Sequence, residues 1–397
     1  MKLSTRGLAV EESATLAISA KAKALKAEGH DVVDFGVGEP DFRTPEHICQ
    51  AAVEAMNRGM TRYTPAAGTM ELRTAVCDKL MRDNGLKYTP RQIVVSNGAK
   101  HSLYNAFLAV LDPGDEVLIP SPCWVSYPEM VKMADGVPVL VHAGEAQGFV
   151  PTVAQLEAAC TPRTKAIVLN NPVNPTGAAF DHETLQGIAT LAVRHDLFII
   201  ADEIYEALSY DGYQPVSIAS FGEEVKERTI LINGVSKTYA MTGWRIGYAA
   251  APTEVAQVMA NVQSQATSNP NSIAQFAATA ALNGPQAVVD EMVAEFDRRR
   301  LRIHGLVNAI DGMSAPLPRG AFYLFVNIQG LIGKSFGGFV IRDSMDYATQ
   351  LLENQKVAVV PGSAFDAEGY VRLSYALDMD SLEKGVARMA EFAAALR

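Results

Sequence analysis

Short apolar runs alternate along this chain with longer stretches in which apolar positions recur at helical spacing. The runs at 93–95, 115–119, 137–141, 166–169, 198–201 and 229–232 are too short for helices and show no polar alternation. They predict strands buried on both faces. Helical spacing is expected over 13–28, 45–58, 70–84, 101–111 and 182–195, with Gly29 and Gly85 placed to stop the first and third. Buried strands separated by helices predict an α/β protein with a mostly parallel sheet covered on both faces. Ligands of such sheets gather outside the carboxyl ends of the strands. Lys100, Trp124, Asn174, Asp202, Tyr205 and Lys237 each stand at or just after an expected strand end.

Beyond 285 the pattern changes. A helix over 286–310, a strand over 321–327, a glycine-rich loop over 330–338 and a helix over 345–355 are followed by paired strands, 357–360 and 370–375, and a last helix over 381–396. This predicts a smaller α+β domain. The N-terminal segment is expected to join it, because both chain ends lie outside the sheet region. The division is 46–285 for the large domain, with 1–45 and 286–397 for the small one. The basic stretch Asp297 to Arg302 reads as a solvated helix face.

Composition narrows the function. A chain of 397 residues, 48% hydrophobic, can bury sizeable cores. Its 34 basic and 44 acidic side chains give a net charge of −10 with no basic block, which argues against a nucleic-acid or anionic-membrane surface. Cys49, Cys77, Cys123 and Cys160 form no CxxC pair, so a reducing cytoplasm is the expected compartment. No signal-peptide core and no membrane-length apolar window is visible.

The candidate chemistry centres on Asn233 to Gly247, NGVSKTYAMTGWRIG. Lys237 follows a strand end and a small approach, Gly234-Val235-Ser236, and Arg245 lies between Gly243 and Gly247. Together they offer an amine able to form an imine and a fixed cation able to hold a phosphate. Strand, glycine loop and helix start at Ser96-Asn97-Gly98-Ala99-Lys100 form an anion seat, although the Walker pattern is absent. The turn GVGEPDF, Gly36 to Phe42, lacks a third glycine and carries Pro40, so it is no dinucleotide loop. Asp202, held after an apolar strand, suits a dry site, and Tyr205 follows three residues later. Two Asn-Pro steps in NNPVNPTG can aim Asn174 at a ligand. A pyridoxal phosphate site needs such a set: imine lysine, carboxylate for the pyridine nitrogen, donors to the phenolic oxygen, an aromatic ring and a phosphate cup.

The motifs NNPVNPTG, ADEIY and SKTYAMTGWRIG resemble those of the fold-type I pyridoxal-phosphate enzymes, specifically the class I aminotransferases of the aspartate aminotransferase family, prokaryotic branch. The resemblance runs from GVGEPDF to VRLSYA. It implies a large domain with a mostly parallel seven-stranded sheet, a smaller α+β domain, pyridoxal 5′-phosphate as cofactor, and a homodimer with shared active sites. On it, Lys237 matches the Schiff-base lysine and proton shuttle, Asp202 the pyridinium partner, and Tyr205 and Asn174 the donors to the phenolic oxygen. Trp124 matches the ring-stacking aromatic. Arg245, Gly98, Ala99 and Lys100 match the phosphate site, with Ser236 beside them, and Tyr63 matches the tyrosine that reaches the neighbouring subunit's phosphate. Gly38 and Arg372 match substrate contacts, Arg372 gripping the α-carboxylate through two parallel bonds. Lys100, Ser13 and Thr15 stand where the branch receives an acidic side chain.

The resemblance therefore implies transfer of the amino group of L-aspartate to 2-oxoglutarate with ping-pong kinetics, on small amino-acid and 2-oxo-acid substrates. Aminotransferases of aromatic, broad-range or prephenate substrates share the scaffold, as do pyridoxal-phosphate C–S lyases. Prephenate-accepting members carry a basic residue just before the SxT, where Glu11 and Glu12 stand here. Non-catalytic regulators of this fold carry an N-terminal DNA-binding domain, for which there is no room before Ser13.

Overall fold

The computed structural model describes residues 3–8, 10 and 14–397, the side chains of 5, 6 and 14–17 excepted. Helix Ala14–Ala27 leads to a two-residue strand, β1 (Val33–Asp34). It is this short because Asp31 turns outward to Lys384 and Arg388 on the last helix. Phe35 N still donates to Ala358 O, so the segment is stitched to the C-terminal part of the chain.

The seven-stranded sheet comprises β2 (Ile93–Ser96), β3 (Glu116–Ser121), β4 (Val137–His142), β5 (Thr164–Asn170), β6 (Phe198–Asp202), β7 (Thr229–Gly234) and β8 (Gly247–Ala250). Its order is β2-β8-β7-β6-β5-β3-β4. Only β8 runs antiparallel to its neighbours. Two successive antiparallel pairings leave β2 pointing the same way as β7, so the carboxyl ends of β2 to β7 open on one edge. The inner strands are apolar throughout because helices cover both faces, with Val117, Ile119, Val168 and Ile200 turned to one core and Leu118, Ile167, Leu169 and Ile199 to the other.

The remaining strands are β9 (Tyr323–Asn327), β10 (Ser335–Phe336), β11 (Phe339–Val340), β12 (Val357–Ala358), β13 (Val360–Pro361) and β14 (Tyr370–Ser374). The run 357–360, expected as one strand, serves two sheets. β12 pairs with β1, whereas β13 joins β14 and β9 in an antiparallel sheet. The expected loop over 330–338 holds a turn and β10, which pairs with β11 just beyond it and is tied to the C-terminus by Ser335 N to Arg397 O at 2.7 Å and Arg397 N to Ser335 O at 3.0 Å.

The basic stretch 297–302 is not a solvated face. Arg298 and Arg302 are exposed, but Arg299 and Arg300 are buried. Arg299 donates to Asp41 and Glu295, and Arg300 to Asp211, Asp297 and Pro318 O. Neighbouring loops cover that side of helix Ala287–Asn308, and a buried guanidinium is tolerated where acceptors match its fork. Among the described residues no helix is long and apolar enough to cross a membrane, and no cluster suited to a metal ion occurs.

Candidate active site

At the carboxyl edge of the seven-stranded sheet lies a cleft of about 490 Å³. It brings together Gly38, Ala99, Lys100, Trp124, Asn174, Asp202, Tyr205, Ser236, Lys237, Arg245 and Arg372 from segments far apart in sequence. Gly98 adjoins it through Arg245. Tyr63 stands apart and is 90% exposed. Ser13, with Glu11 and Glu12, lies outside the described residues, as does the side chain of Thr15, whose backbone belongs to helix Ala14–Ala27. That helix does face the cleft, through Ser19 and Lys23.

One end suits an anion. Helix Ala99–Val110 starts earlier than the expected 101–111, so Ala99 and Lys100 lie in its first turn, where backbone N–H groups lack intrahelical partners. Its N-cap, Gly98, has φ 87°, and a Cβ there would meet Arg245 Nη2 at 2.1 Å. Close approach also explains Gly247, which pairs with Ser96 and whose Cβ would lie 2.2 Å from Ala99 N. Arg245, itself left-handed at φ 56°, is aimed by bonds to Thr242 O at 2.8 Å and Asn97 O at 3.3 Å. Lys100 Nζ sits 4.7 Å from the centre of the Trp124 ring, and burial together with Arg245 lowers its pKa. Two cations, a helix start and a glycine cradle fit a phosphate.

The floor of the cleft is acidic. Asp202, the last residue of β6, is buried and accepts from Tyr127 OH at 2.7 Å and Ile204 N at 3.2 Å. Burial pushes its carboxyl up to about 6, against those hydrogen bonds and Lys237. A ligand cation here would find a carboxylate already held by neutral donors. Lys237 follows β7 through a turn anchored from behind: Asn233 Nδ2 donates to Glu206 Oε1 at 2.6 Å, and Asn84 Nδ2 to Glu206 Oε2 at 2.7 Å. The Lys237 amine donates to Gly38 O. Burial brings it down to about 8, helped by Arg372 and Arg245 and opposed by Glu39. An amine so placed has a neutral fraction near physiological pH and can act as nucleophile and base.

The far end holds Arg372, on β14 and 2% exposed. Nη1 donates to Asn174 Oδ1 at 2.9 Å and Nη2 to Gly36 O at 3.1 Å, while Nε, also buried, has no partner. The guanidinium lies 4.3 Å over the Tyr323 ring, and burial lowers its pKa. No carboxylate pairs with it among the described residues, in contrast to Arg300. A buried, half-satisfied guanidinium is a receptor for a ligand carboxylate.

Sequence reasoning missed Tyr127, whose hydroxyl reaches Asp202, and Tyr323, whose hydroxyl lies 2.9 Å from that of Tyr205. It also missed Glu39, Ser19 and Lys23 at the cleft wall. Tyr127 stands three residues after Trp124, one helical turn on, which is a usable signal. Tyr323 sits in an apolar strand and carries none.

The family described as aminotransferase class I and II matches residues 30–389. The aspartate aminotransferase of Bacillus subtilis (strain 168) is 49% identical over 392 residues, covering 99% of each chain. An aspartate/prephenate aminotransferase of Cereibacter sphaeroides is 48% identical over 389 residues, 98% of this chain and 97% of that one. Among solved structures, the Rhizobium meliloti aspartate aminotransferase superposes with a TM-score of 0.96 at 45% identity, over 100% of both chains. The Thermus thermophilus aspartate aminotransferase with maleate gives 0.93 at 45% identity, over 98% of this chain and 99% of that one.

Proposed function

The chain belongs to the class I and II aminotransferases, and from that premise we propose that it moves the amino group of L-aspartate to 2-oxoglutarate, forming oxaloacetate and L-glutamate, with pyridoxal 5′-phosphate as cofactor. The observation that carries the reading is Arg372, a buried guanidinium with an unpartnered Nε, in the same cleft as the Lys237 amine. An α-amino acid presents a carboxylate and an amine one carbon apart, and these two groups suit that pair.

Pyridoxal phosphate, when bound, supplies a carbonyl for the amine and a ring that takes up electron density. Arg245, Gly98, Ala99 and Ser236 would hold its phosphate, and Asp202 the proton on its ring nitrogen. Trp124 would cover the ring face, with Asn174 and Tyr205 at its phenolic oxygen. Lys237 would take a proton from the Cα of the amino-acid substrate in the first half-reaction and deliver one to the Cα of the 2-oxo acid in the second. Gly38 and Asn174 fix the substrate beside Arg372. Lys100, at the cleft mouth, offers a cation to the second carboxylate of aspartate or glutamate.

A half-reaction screen tests this reading: single amino acids are mixed with the holoenzyme and loss of the bound cofactor's visible absorbance is followed. Aspartate and glutamate are expected to react fastest, and Lys100→Ala to slow both by roughly fivefold while sparing alanine. Faster conversion of aromatic or branched amino acids would overturn the acidic-substrate assignment. Pyruvate release from a sulfur amino acid without transfer would move the protein to the lyases. The relative from Cereibacter sphaeroides carries prephenate in its name, so prephenate is included as acceptor.

The protein is read as a homodimer in a reducing cytoplasm. The exposed Tyr63 ring, at the position that the family resemblance assigns to a neighbouring subunit's phosphate, supports the first, and four cysteines without a disulfide support the second. Light scattering at twice the chain mass and cell fractionation check the two; a monomer or a secreted enzyme would refute them.

A further inference from the structure

Arg372 belongs to the three-stranded sheet, whereas Asn174 and Lys237 follow strands of the seven-stranded one. A slip of about 1 Å between the sheets would move the guanidinium off the position in which its two parallel donors meet a substrate carboxylate, and so weaken binding. Something must therefore fix the seam.

Two carboxylates cross it, in opposite directions. Glu145, shortly after β4, reaches the small sheet, where its Oε2 accepts from Asn327 Nδ2 at 2.8 Å and from Tyr370 OH at 3.1 Å. Asn327 and Tyr370 are partners across β9 and β14. Tyr370 precedes Arg372 by two residues, so the two side chains leave the strand on one face. Asp366, shortly after β13, reaches the large sheet, accepting from Ser121 Oγ at 2.8 Å with His142 Nδ1 at 3.0 Å. Ser121 and His142 are the last residues of β3 and β4.

Between the carboxylates lies an apolar plug. Phe149 from the large sheet's side meets Phe325 and Tyr370 edge-on, each at 5.5 Å, and Phe365 lies 5.0 Å from the Arg372 guanidinium carbon. Phe325 is the cross-strand partner of Arg372. Apolar contact is non-directional and resists separation better than sliding, whereas hydrogen bonds to carboxylates fix direction and register. Burial and the Glu145 charge push the Tyr370 phenol up to about 12, which keeps it a donor. Neither Glu145 nor Asp366 lines the cleft.

We propose that Glu145 and Asp366 are positioning residues, a reciprocal clasp that holds β14 in register with the seven-stranded sheet and so keeps Arg372 in place for the substrate carboxylate. The inference rests on the reading of Arg372 as that receptor. It assigns substrate affinity, but not cofactor chemistry, to two side chains that touch neither.

The test uses the holoenzyme, Glu145→Ala and the Glu145→Ala/Asp366→Ala pair, with succinate as a non-reacting dicarboxylate. Succinate Kd and aspartate KM are expected to rise about tenfold in the single variant and further in the double, with kcat within about twofold. The cofactor's absorbance stays unchanged, and hydrogen exchange rises at 370–374. Glu145→Gln keeps an acceptor oxygen and is expected to restore wild-type affinity. Unchanged succinate binding in the double variant would overturn the clasp. So would a joint loss of kcat, cofactor absorbance and affinity, the mark of general loosening. If the wild-type enzyme fails to bind succinate or to convert any amino acid, the reading of Arg372 falls first.

Discussion

Lys237→Ala is expected to abolish turnover, lowering kcat by at least roughly 10⁴-fold, because one side chain supplies both the nucleophilic amine and the proton carrier. No neighbour can take its place. Lys100, at the cleft mouth, is held over Trp124 and beside the anion seat. The depressed pKa of Lys237, about 8, is a property of its surroundings, chiefly burial, so an amine added elsewhere would not inherit it. The check has two parts. Single-turnover conversion of aspartate should disappear, and borohydride treatment should leave no cofactor-derived mass on the variant chain. Retention of either would assign the amine to another residue. The fold should survive, since among the described residues the lysine side chain hydrogen-bonds only to the Gly38 carbonyl.

Arg372→Leu is expected to move activity and stability in opposite directions. Loss of a buried, bidentate carboxylate partner costs about 2–5 kcal/mol, so kcat/KM for aspartate should fall by roughly 30- to several-thousand-fold. Arg372→Lys should recover little, because an ammonium cannot present two parallel donors. In the ligand-free protein the same guanidinium is a burden: it is buried, has no carboxylate partner among the described residues, and leaves Nε without an acceptor. Replacing it with an apolar side chain removes that cost, so thermal unfolding of the ligand-free variant should occur no lower than in wild type, and a rise is expected. A lowered melting point would mean that Arg372 is a structural residue like Arg300, whose fork is saturated by Asp211 and Asp297. Unchanged kcat/KM would remove it from the substrate site.

Much of the site was legible because its residues fall at strand ends, and strand ends are marked by abrupt loss of apolar character. Asp202 and Lys237 follow the runs 198–201 and 229–232, and both open into the cleft. Arg372 was legible only through the motif around it, since an arginine in a short strand carries no sign of whether its fork is filled. The same blindness explains the reading of 297–302 as solvated. Helical spacing shows that Arg299 and Arg300 point in different directions, but not that Asp41 and Asp211 wait there.

By itself the sequence determined the α/β class, the order of elements, the chemical kinds gathered near the strand ends and the membership that the comparisons bear out. These are local properties, set by hydrophobic period, turn residues and short motifs. The tertiary structure alone decided which strand runs backwards, that 357–360 divides between two sheets, and that Tyr127 and Tyr323 serve the site. It also decided that Glu145 and Asp366 bridge the seam. Each depends on partners tens to hundreds of residues away. Burial, pKa and hydrogen-bond satisfaction are set by what packs against a group, and no window of sequence contains that neighbour.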